Sequence, residues 1–278
     1  MAVRMRHHLG QALGSLRYEP TPTRVRADLV GVTWVDTTDA FLVWEPRRII
    51  PVYAVPPGDI AAAVEMTDPQ PAPADLDALP KVLTPAVGFE THSCPGKVID
   101  LDLPGPTLFK IGFLPDDPDL GGRVLLDFTR FERWRAEETE LVGHAHDPFK
   151  TIEVLTSSRR VEVRHQGTLL AASSRPKMLL ETGLPPRWYL PHEDVRMELL
   201  VPSETRTTCA YKGHAWYLSR RDDAEDGADL AWLYPEPLHA AVPVKYSICF
   251  WSERSDLTLD GEPVPRPVTP WSRTPMEP

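Results

Sequence analysis

Residues 160–181 read RVEVRHQGTLLAASSRPKMLLE, and residues 24–45 read RVRADLVGVTWVDTTDAFLVWE. Set 136 positions apart, Arg24, Val25, Gly31 and Glu45 meet the identical Arg160, Val161, Gly167 and Glu181, and Leu42 meets Met178. Four identities in 22 positions are few, but the features downstream of both stretches come in the same order. Each stretch passes a proline-containing turn into an aromatic segment, Val52-Tyr53-Ala54-Val55-Pro56 in one and Trp188-Tyr189-Leu190-Pro191 in the other. Each then reaches an acidic-apolar pair, Asp59-Ile60 and Asp194-Val195. Self-similarity at a fixed offset predicts a duplicated domain.

Inside the second copy, Val161 and Val163 alternate before Gly167, and Leu169 and Leu170 come after it. Period-two alternation about a glycine predicts a hairpin. Asp260-Gly261, between Asp256-Leu257-Thr258-Leu259 and Glu262-Pro263-Val264, predicts another. Arg130–Leu141 (RFERWRAEETEL) is built of good helix formers. Its counterpart Trp251–Leu259 alternates as a strand, and the repeat decides for strand. Proline numbers 31 of 278 residues, against a usual share of about 5%. Proline breaks helix interiors and central strands, so short elements and many turns are expected.

The expected fold is therefore all-β with minor helix, as two tandem domains of small antiparallel sheets packed at an angle. Residues 1–22 read as an N-terminal tail and 23–150 as the diverged first repeat, with a Pro/Ala-rich surface insertion near 61–90. Residues 151–264 read as the second repeat and 265–278 as a C-terminal tail.

Residues 1–150 carry 15 Lys+Arg against 22 Asp+Glu, and 151–278 carry 15 against 18. Neither half is basic, so electrostatic capture of nucleic acid or of an anionic membrane has no support. Three cysteines, Cys94, Cys209 and Cys249, form no CxxC and no disulfide framework. The N-terminus lacks an apolar h-region, and no apolar run approaches the ~18 residues of a membrane span. A cytoplasmic protein is expected, with no cofactor, and as a monomer whose tandem domains pack on each other. P-loop, GxGxxG, GxSxG and HExxH motifs are absent.

The second half contains YLPHEDVRMELL (189–200), TTCAYKGHAWY (207–217), AWLYPEPLHAAV (231–242) and YSICFW (246–251). This run resembles the bacterial domain-of-unknown-function family number 427, which also carries a nucleotidyltransferase-like label. The resemblance covers about 160–262 well and 24–60 and 124–150 more weakly. It implies the β-tent fold group, in which two antiparallel sheets meet at an angle over a ligand cleft. Relatives in that group include the drug-binding domain of cereblon and B-type methionine sulfoxide reductases. Many of them pin the sheets with a four-cysteine zinc, whose cysteines this chain lacks. The resemblance implies no activity.

The Thr-x-Cys-x-Tyr-Lys-Gly segment is the leading site candidate. If it is extended, Thr207, Cys209 and Tyr211 share one face, and Gly213 permits a bend. Lys212 would meet an anionic or carbonyl group of a small molecule or peptide end. Tyr189, Trp216, Trp232 and Tyr234 would form an apolar cage, with Tyr211, His214 and Arg196 nearby. The competing account makes these aromatics core, Cys209 a small buried residue and Lys212 a solvated charge. The first repeat reads CPGKV (94–98) against CAYKG (209–213), which keeps Cys94 and Lys97 in place and looks degenerate.

Three further functions stay open. One is an enzyme of unassigned chemistry using Cys209 as a thiolate nucleophile beside Lys212. Another is nucleotidyl transfer through a metal pair at Asp100 and Asp102, and the last is a purely structural or interaction role. His144-x-His146-Asp147 is a weak metal candidate on alternate strand positions.

Overall fold

The computed structural model describes residues 2–103, 107–223 and 225–272. Beyond residue 272, the tail expected over 265–278 lies outside the described residues. The chain divides into two compact units between Asp147 and Pro148.

In the first unit a seven-stranded antiparallel sheet runs β1 (Arg17–Pro20), β4 (Phe41–Trp44), β5 (Val52–Val55), β9 (Val124–Leu126), β8 (Leu108–Pro115), β7 (Gly96–Asp102), β6 (Ala63–Met66). A four-stranded sheet runs β11 (Thr139–Leu141), β10 (Arg133–Ala136), β2 (Val25–Leu29), β3 (Val32–Thr37). In the second unit the large sheet runs β12 (Ile152–Thr156), β15 (Lys177–Glu181), β16 (Arg187–Leu190), β20 (Ile248–Phe250), β19 (Ala231–Leu233), β18 (Gly213–Arg220), β17 (Leu200–Cys209). Its small sheet runs β14 (Thr168–Ser173), β13 (Val161–His165), β21 (Asp256–Leu259), β22 (Glu262–Val264). Adding eleven to each strand number of the first unit reproduces both sheet orders of the second.

The hairpins form where alternation meets a turn that needs positive φ. Val30-Gly31 joins β2 to β3 at φ 51° and 71°, and Gln166-Gly167 joins β13 to β14 at φ 50° and 78°. Two consecutive positive-φ residues match the right-handed twist of the flanking strands. Within Arg130–Leu141, Arg133–Ala136 and Thr139–Leu141 form the β10–β11 hairpin, while Arg130 ends a 3₁₀ turn. The only α-helix among the described residues is Met5–Gln11.

Each unit buries its large sheet on both faces. In the first, Val25, Ala27 and Trp134 of the small sheet pack against Leu42, Ile99 and Leu126 of the large one. In the second, Val161, Val163 and Leu257 pack against Leu190, Leu218 and Ile248. The opposite face of the second large sheet holds Tyr189, Trp232 and Cys249 beneath Ala241 and Val244, which belong to the 3₁₀ turn His239–Val244.

Two expectations about segments need correction. Arg17–Pro20, placed in the N-terminal tail, is edge strand β1 and pairs with β4. The Pro/Ala-rich stretch near 61–90 is not all surface. It contributes β6, paired with β7, and it buries Leu83 completely. Arg48 holds the loop after Leu83 by donating to the carbonyls of Val87 at 3.2 Å, Gly88 at 2.8 Å and Thr91 at 2.5 Å. Composition marked these residues as irregular, but carbonyls fixed by one buried guanidinium leave no compositional trace.

Trp134 centres the first core. It stacks on Tyr53 and Phe128 at 5.5 and 5.3 Å and meets Phe131 edge-on at 5.0 Å. Its indole N–H donates to the Phe128 carbonyl at 2.9 Å. Trp134→Ala is expected to cost about 3–5 kcal/mol, read as a fall in urea midpoint at unchanged slope. A loss below ~1 kcal/mol would show that the three ring contacts do not hold the sheets together.

Candidate functional site

The hairpin β17–β18 turns through Ala210-Tyr211-Lys212, and Gly213 takes φ +92°. A Cβ there would lie 3.2 Å from the Glu236 carbonyl oxygen and 3.3 Å from the Leu238 amide nitrogen. Backbone conformation and close approach both require glycine at that point. The bend turns Lys212 inward. Lys212 is 8% exposed, and its ammonium donates to Oε2 of Glu181, at the end of β15. The other oxygen of Glu181 meets the Lys150 ammonium at 3.1 Å.

Burial alone would pull the Lys212 pKa down and push that of Glu181 up. Their attraction overcomes both effects. The ammonium of Lys212 is held above its ordinary range, chiefly by Glu181. The carboxyl of Glu181 is held below its ordinary range by Lys212 and then by Lys150. The cluster sets two lysine ammoniums on one carboxylate. Cys209 adjoins it as a further hydrogen-bonding neighbour of Lys212.

The expected aromatic cage is not assembled. Tyr189, Trp232 and Tyr234 are buried together in the core, where the Trp232 indole N–H donates to the Tyr189 hydroxyl at 3.1 Å. Burial holds the Tyr189 and Tyr234 phenols well above their ordinary pKa. Trp216 lies on the opposite face of β18, 49% exposed, with the Arg206 guanidinium 4.8 Å from its ring centroid. The physical reason is the strand's own alternation: Ala215 and Tyr217 take the core face, which leaves His214 and Trp216 the other.

The remaining candidates are separate. His214 is exposed and shares a hydrogen bond with Thr208 Oγ1 at 2.9 Å. Tyr211 is half-buried in the turn, and Cys209 is half-buried at the end of β17. Arg196 is exposed and donates to Glu198 at 2.9 Å. Asp194 does not meet it, accepting instead from Ser173 and Arg175.

In the first unit the pairings set a row Phe41–Ala54–Leu125–Phe113–Val98. The matching row in the second is Lys177–Tyr189–Cys249–Trp232–Tyr217. Val98 thus stands at the place of Tyr217. Lys97 falls at Trp216 and is exposed, not at Lys212 as the CPGKV match suggested. The inward place goes to Ser93, whose amide donates to Glu45 Oε2 at 2.8 Å. Glu45 also takes His92 Nδ1 at 3.2 Å and lies 3.5 Å from Arg48 Nε. Both units therefore bury a glutamate at one position and answer it from the same loop. Glu45 and Glu181 were among the four identities in the sequence, and that signal could have located the pair.

Asp100 and Asp102 do not form a paired site. A β-bulge between Ile99 and Leu101 interrupts the alternation. Asp100 is buried and accepts from Thr67 Oγ1 and from the Lys110 amide at 2.7 Å, while Asp102 is exposed. Among the described residues no group of three or more His, Cys, Asp or Glu side chains is placed to hold a metal ion.

The second unit has a cleft of about 400 Å³ elsewhere, which sequence reasoning missed. His165 and Asp256, at adjoining ends of β13 and β21, form one wall. Asp226 and Arg254, from loops of the large sheet, form another, and Arg266 and Val268 close the mouth. Burial, then Arg220, pushes the His165 imidazole below its ordinary pKa, so it is neutral at pH 7. Asp256 and Arg266 pair at 2.7 Å with both side chains about half exposed, which is a weak contact in water. At the back Glu253 is clamped by Arg187 through two bonds of 2.7 Å.

Residues 153–261 match the family described as "Domain of unknown function (DUF427)". No curated protein matches the chain. Among the described residues, no helix is long and apolar enough to cross a membrane.

Removing one member of a buried ion pair costs about 3–5 kcal/mol when it strands the other. Glu181→Gln strands two lysines, whereas Lys212→Met leaves Glu181 its contact with Lys150. Glu181→Gln is therefore expected to be the more destabilising of the two in urea at pH 7. The folded carboxyl titrates below the ordinary 4.5, so its stabilisation is present above that pH and is lost as pH falls through the folded value. The gap between wild type and Glu181→Gln should then close from pH 5 downward. The reverse order of stabilities, or a gap that widens in acid, would contradict the charged cluster.

Proposed function

Starting from residues 153–261 as a member of the DUF427 family, we propose that the second unit is a binding module for a small polar molecule or peptide end bearing groups of both charges. The cleft between the ends of its sheets is the proposed site. One observation carries this reading: a cleft of about 400 Å³ whose walls mix separated charges. That volume falls within the ~300–1,000 Å³ usual for small-molecule sites.

Asp256 offers an acceptor, Arg266 offers donors, and His165 supplies a neutral ring. Arg254 is held by the carbonyls of Asp226 and Ala228, and Asp226 accepts from the Gln166 amide at 3.2 Å, so these line the cleft as fixed walls. A ligand with an ammonium and a carboxylate can replace the weak Asp256–Arg266 contact with two of its own. Glu253 is already satisfied by Arg187 and takes no part.

The Lys212 hairpin supports a different role. Its ammonium is spent on Glu181, so it holds the loop and does not recognise a ligand. Nucleotidyl transfer needs paired carboxylates. Asp100 and Asp102 lie outside the matched residues, and the Asp100 carboxylate is occupied by Thr67 and Lys110. Exposed Trp216 under Arg206 favours, as a second reading, contact with a protein partner at that face, since Trp and Arg are enriched in interface hot spots.

We also infer that the first unit is a diverged copy of the family domain, on the one-to-one strand order and the shared buried glutamate. All three cysteines are free thiols, in keeping with a cytoplasmic location.

The reading is tested by calorimetric titration of the full chain with free amino acids and dipeptides, against wild type, Asp256→Asn and Arg266→Gln. Binding by wild type is expected, with a loss of roughly tenfold or more in each variant, as for a charge-assisted hydrogen bond. Absence of binding across the panel, or equal affinity in all three proteins, would refute the cleft as the site.

A further inference from the structure

Residues 262–270 read EPVPRPVTP. After β22 ends at Val264, the chain turns across the mouth of the cleft, and Arg266, Pro267, Val268 and Ser272 form one side of it. Pro265, Pro267 and Pro270 have no N–H to add to a sheet and restrict the backbone to extended forms. Among the described residues, no backbone hydrogen bond ties 265–272 to a strand. The arm is stiff but unpaired.

Its attachment is local. Thr269 is the one buried residue of 265–272, at 7% exposure. Its hydroxyl donates to Glu253 Oε1 at 2.8 Å. Val268 and Trp271 in the arm are 60% and 39% exposed, so neither of its apolar side chains is fully buried and the apolar surface the arm covers is chiefly part of Trp271. The Arg266–Asp256 contact is a half-exposed pair of small worth. Glu253 keeps both bonds from Arg187 when Thr269 leaves. Opening therefore strands no buried charge, which is the usual large cost of breaking such a contact.

We propose that residues 265–272 are a strap over the inter-sheet cleft, latched by Thr269 on Glu253, that opens to admit a ligand and closes over it. This rests on the cleft being the binding site, and it adds the means by which access is controlled. The geometry makes Thr269 the latch and the Arg187–Glu253 pair its fixed anchor. Segments with few buried contacts open locally, well below the free energy of global unfolding. The strap meets that description, while β13 and β21 beneath it belong to the core.

The test is hydrogen exchange on the full chain without ligand, comparing wild type, Thr269→Val and Thr269→Ser. The probes are the amides of residues 269 and 272, which bond Ser272 Oγ and the residue-269 carbonyl at 2.9 Å each and do not involve the Thr269 hydroxyl. Thr269→Val removes the bond to Glu253 and, with it, the acceptor of the Trp271 amide at 3.2 Å, and is expected to accelerate exchange at both by about tenfold or more. Amides of 161–165 and 256–259 should keep their wild-type rates, and Thr269→Ser should restore protection to the strap. Unchanged strap exchange in Thr269→Val would remove the latch. Equal acceleration in β13 and β21 would make the segment part of the cooperative core, not a strap. Neither outcome depends on ligand binding, so failure here is distinct from failure of the cleft as a site.

Discussion

A carboxylate inside a β-sheet protein has to be answered by a cation or a set of N–H donors, because an isolated buried charge costs far more than one domain's net stability. Glu181 imposes this constraint on the second unit. Its position at the end of β15 puts one oxygen toward the β17–β18 turn and the other toward Lys150. The turn must then present Lys212 inward, and the positive φ of Gly213 and its approach to Glu236 and Leu238 let the backbone comply. The TCAYKG sequence thus reads as the means of pinning a hairpin to a buried anion. The first unit meets the same demand with different chemistry. Glu45 takes a backbone N–H from Ser93, a ring nitrogen of His92 and the nearby Arg48 guanidinium. The carboxylate is common to both units and its partners are not, so the anion is the fixed element and the hairpin adapts to it.

The strands and hairpins were legible because they depend on local rules. Alternation of Val161 and Val163 about Gly167, and of the residues around Asp260-Gly261, comes from period two and from a turn that needs positive φ. The 136-residue offset aligned β2, β3 and β4 with β13, β14 and β15 for the same reason. Beyond β5 and β16 the loops differ in length. There a fixed offset fails, so CPGKV was matched to CAYKG although pairing places Lys97 at Trp216. Register is a long-range property, and no short window of sequence encodes it.

The candidate site was less legible, and each miss has a physical cause. Aromatic residues supply both core and cage, and only the strand face separates the roles. Tyr189 and Trp232 face the side of their sheet covered by Ala241 and Val244, while Trp216 lies on the other face and is 49% exposed. Lys212 was singled out as a ligand contact, but its partner Glu181 lies 31 residues earlier, on β15, with β16, β20 and β19 between that strand and β18. Only the identity of Glu45 with Glu181 hinted at it. The cleft left no motif at all, because His165, Asp226, Arg254 and Arg266 come from four separate segments and converge through topology alone.

The two regions of the second unit differ in how far their charges are spent, and this bears on where recognition can occur. At the Lys212 hairpin every strong group has a buried partner of opposite sign, so a ligand would have to compete with Glu181 inside a low-dielectric site where that attraction is strongest. At the cleft the Asp256–Arg266 contact is open to water and screened, and a ligand displaces it at small cost. The strongly paired cluster therefore suits a constant role, such as fixing a turn. The loosely paired groups at the mouth suit an exchangeable one. The Arg187–Glu253 clamp belongs to the first kind and Thr269 to the second. Their meeting at one carboxylate gives a fixed point against which a mobile arm can close without disturbing the core.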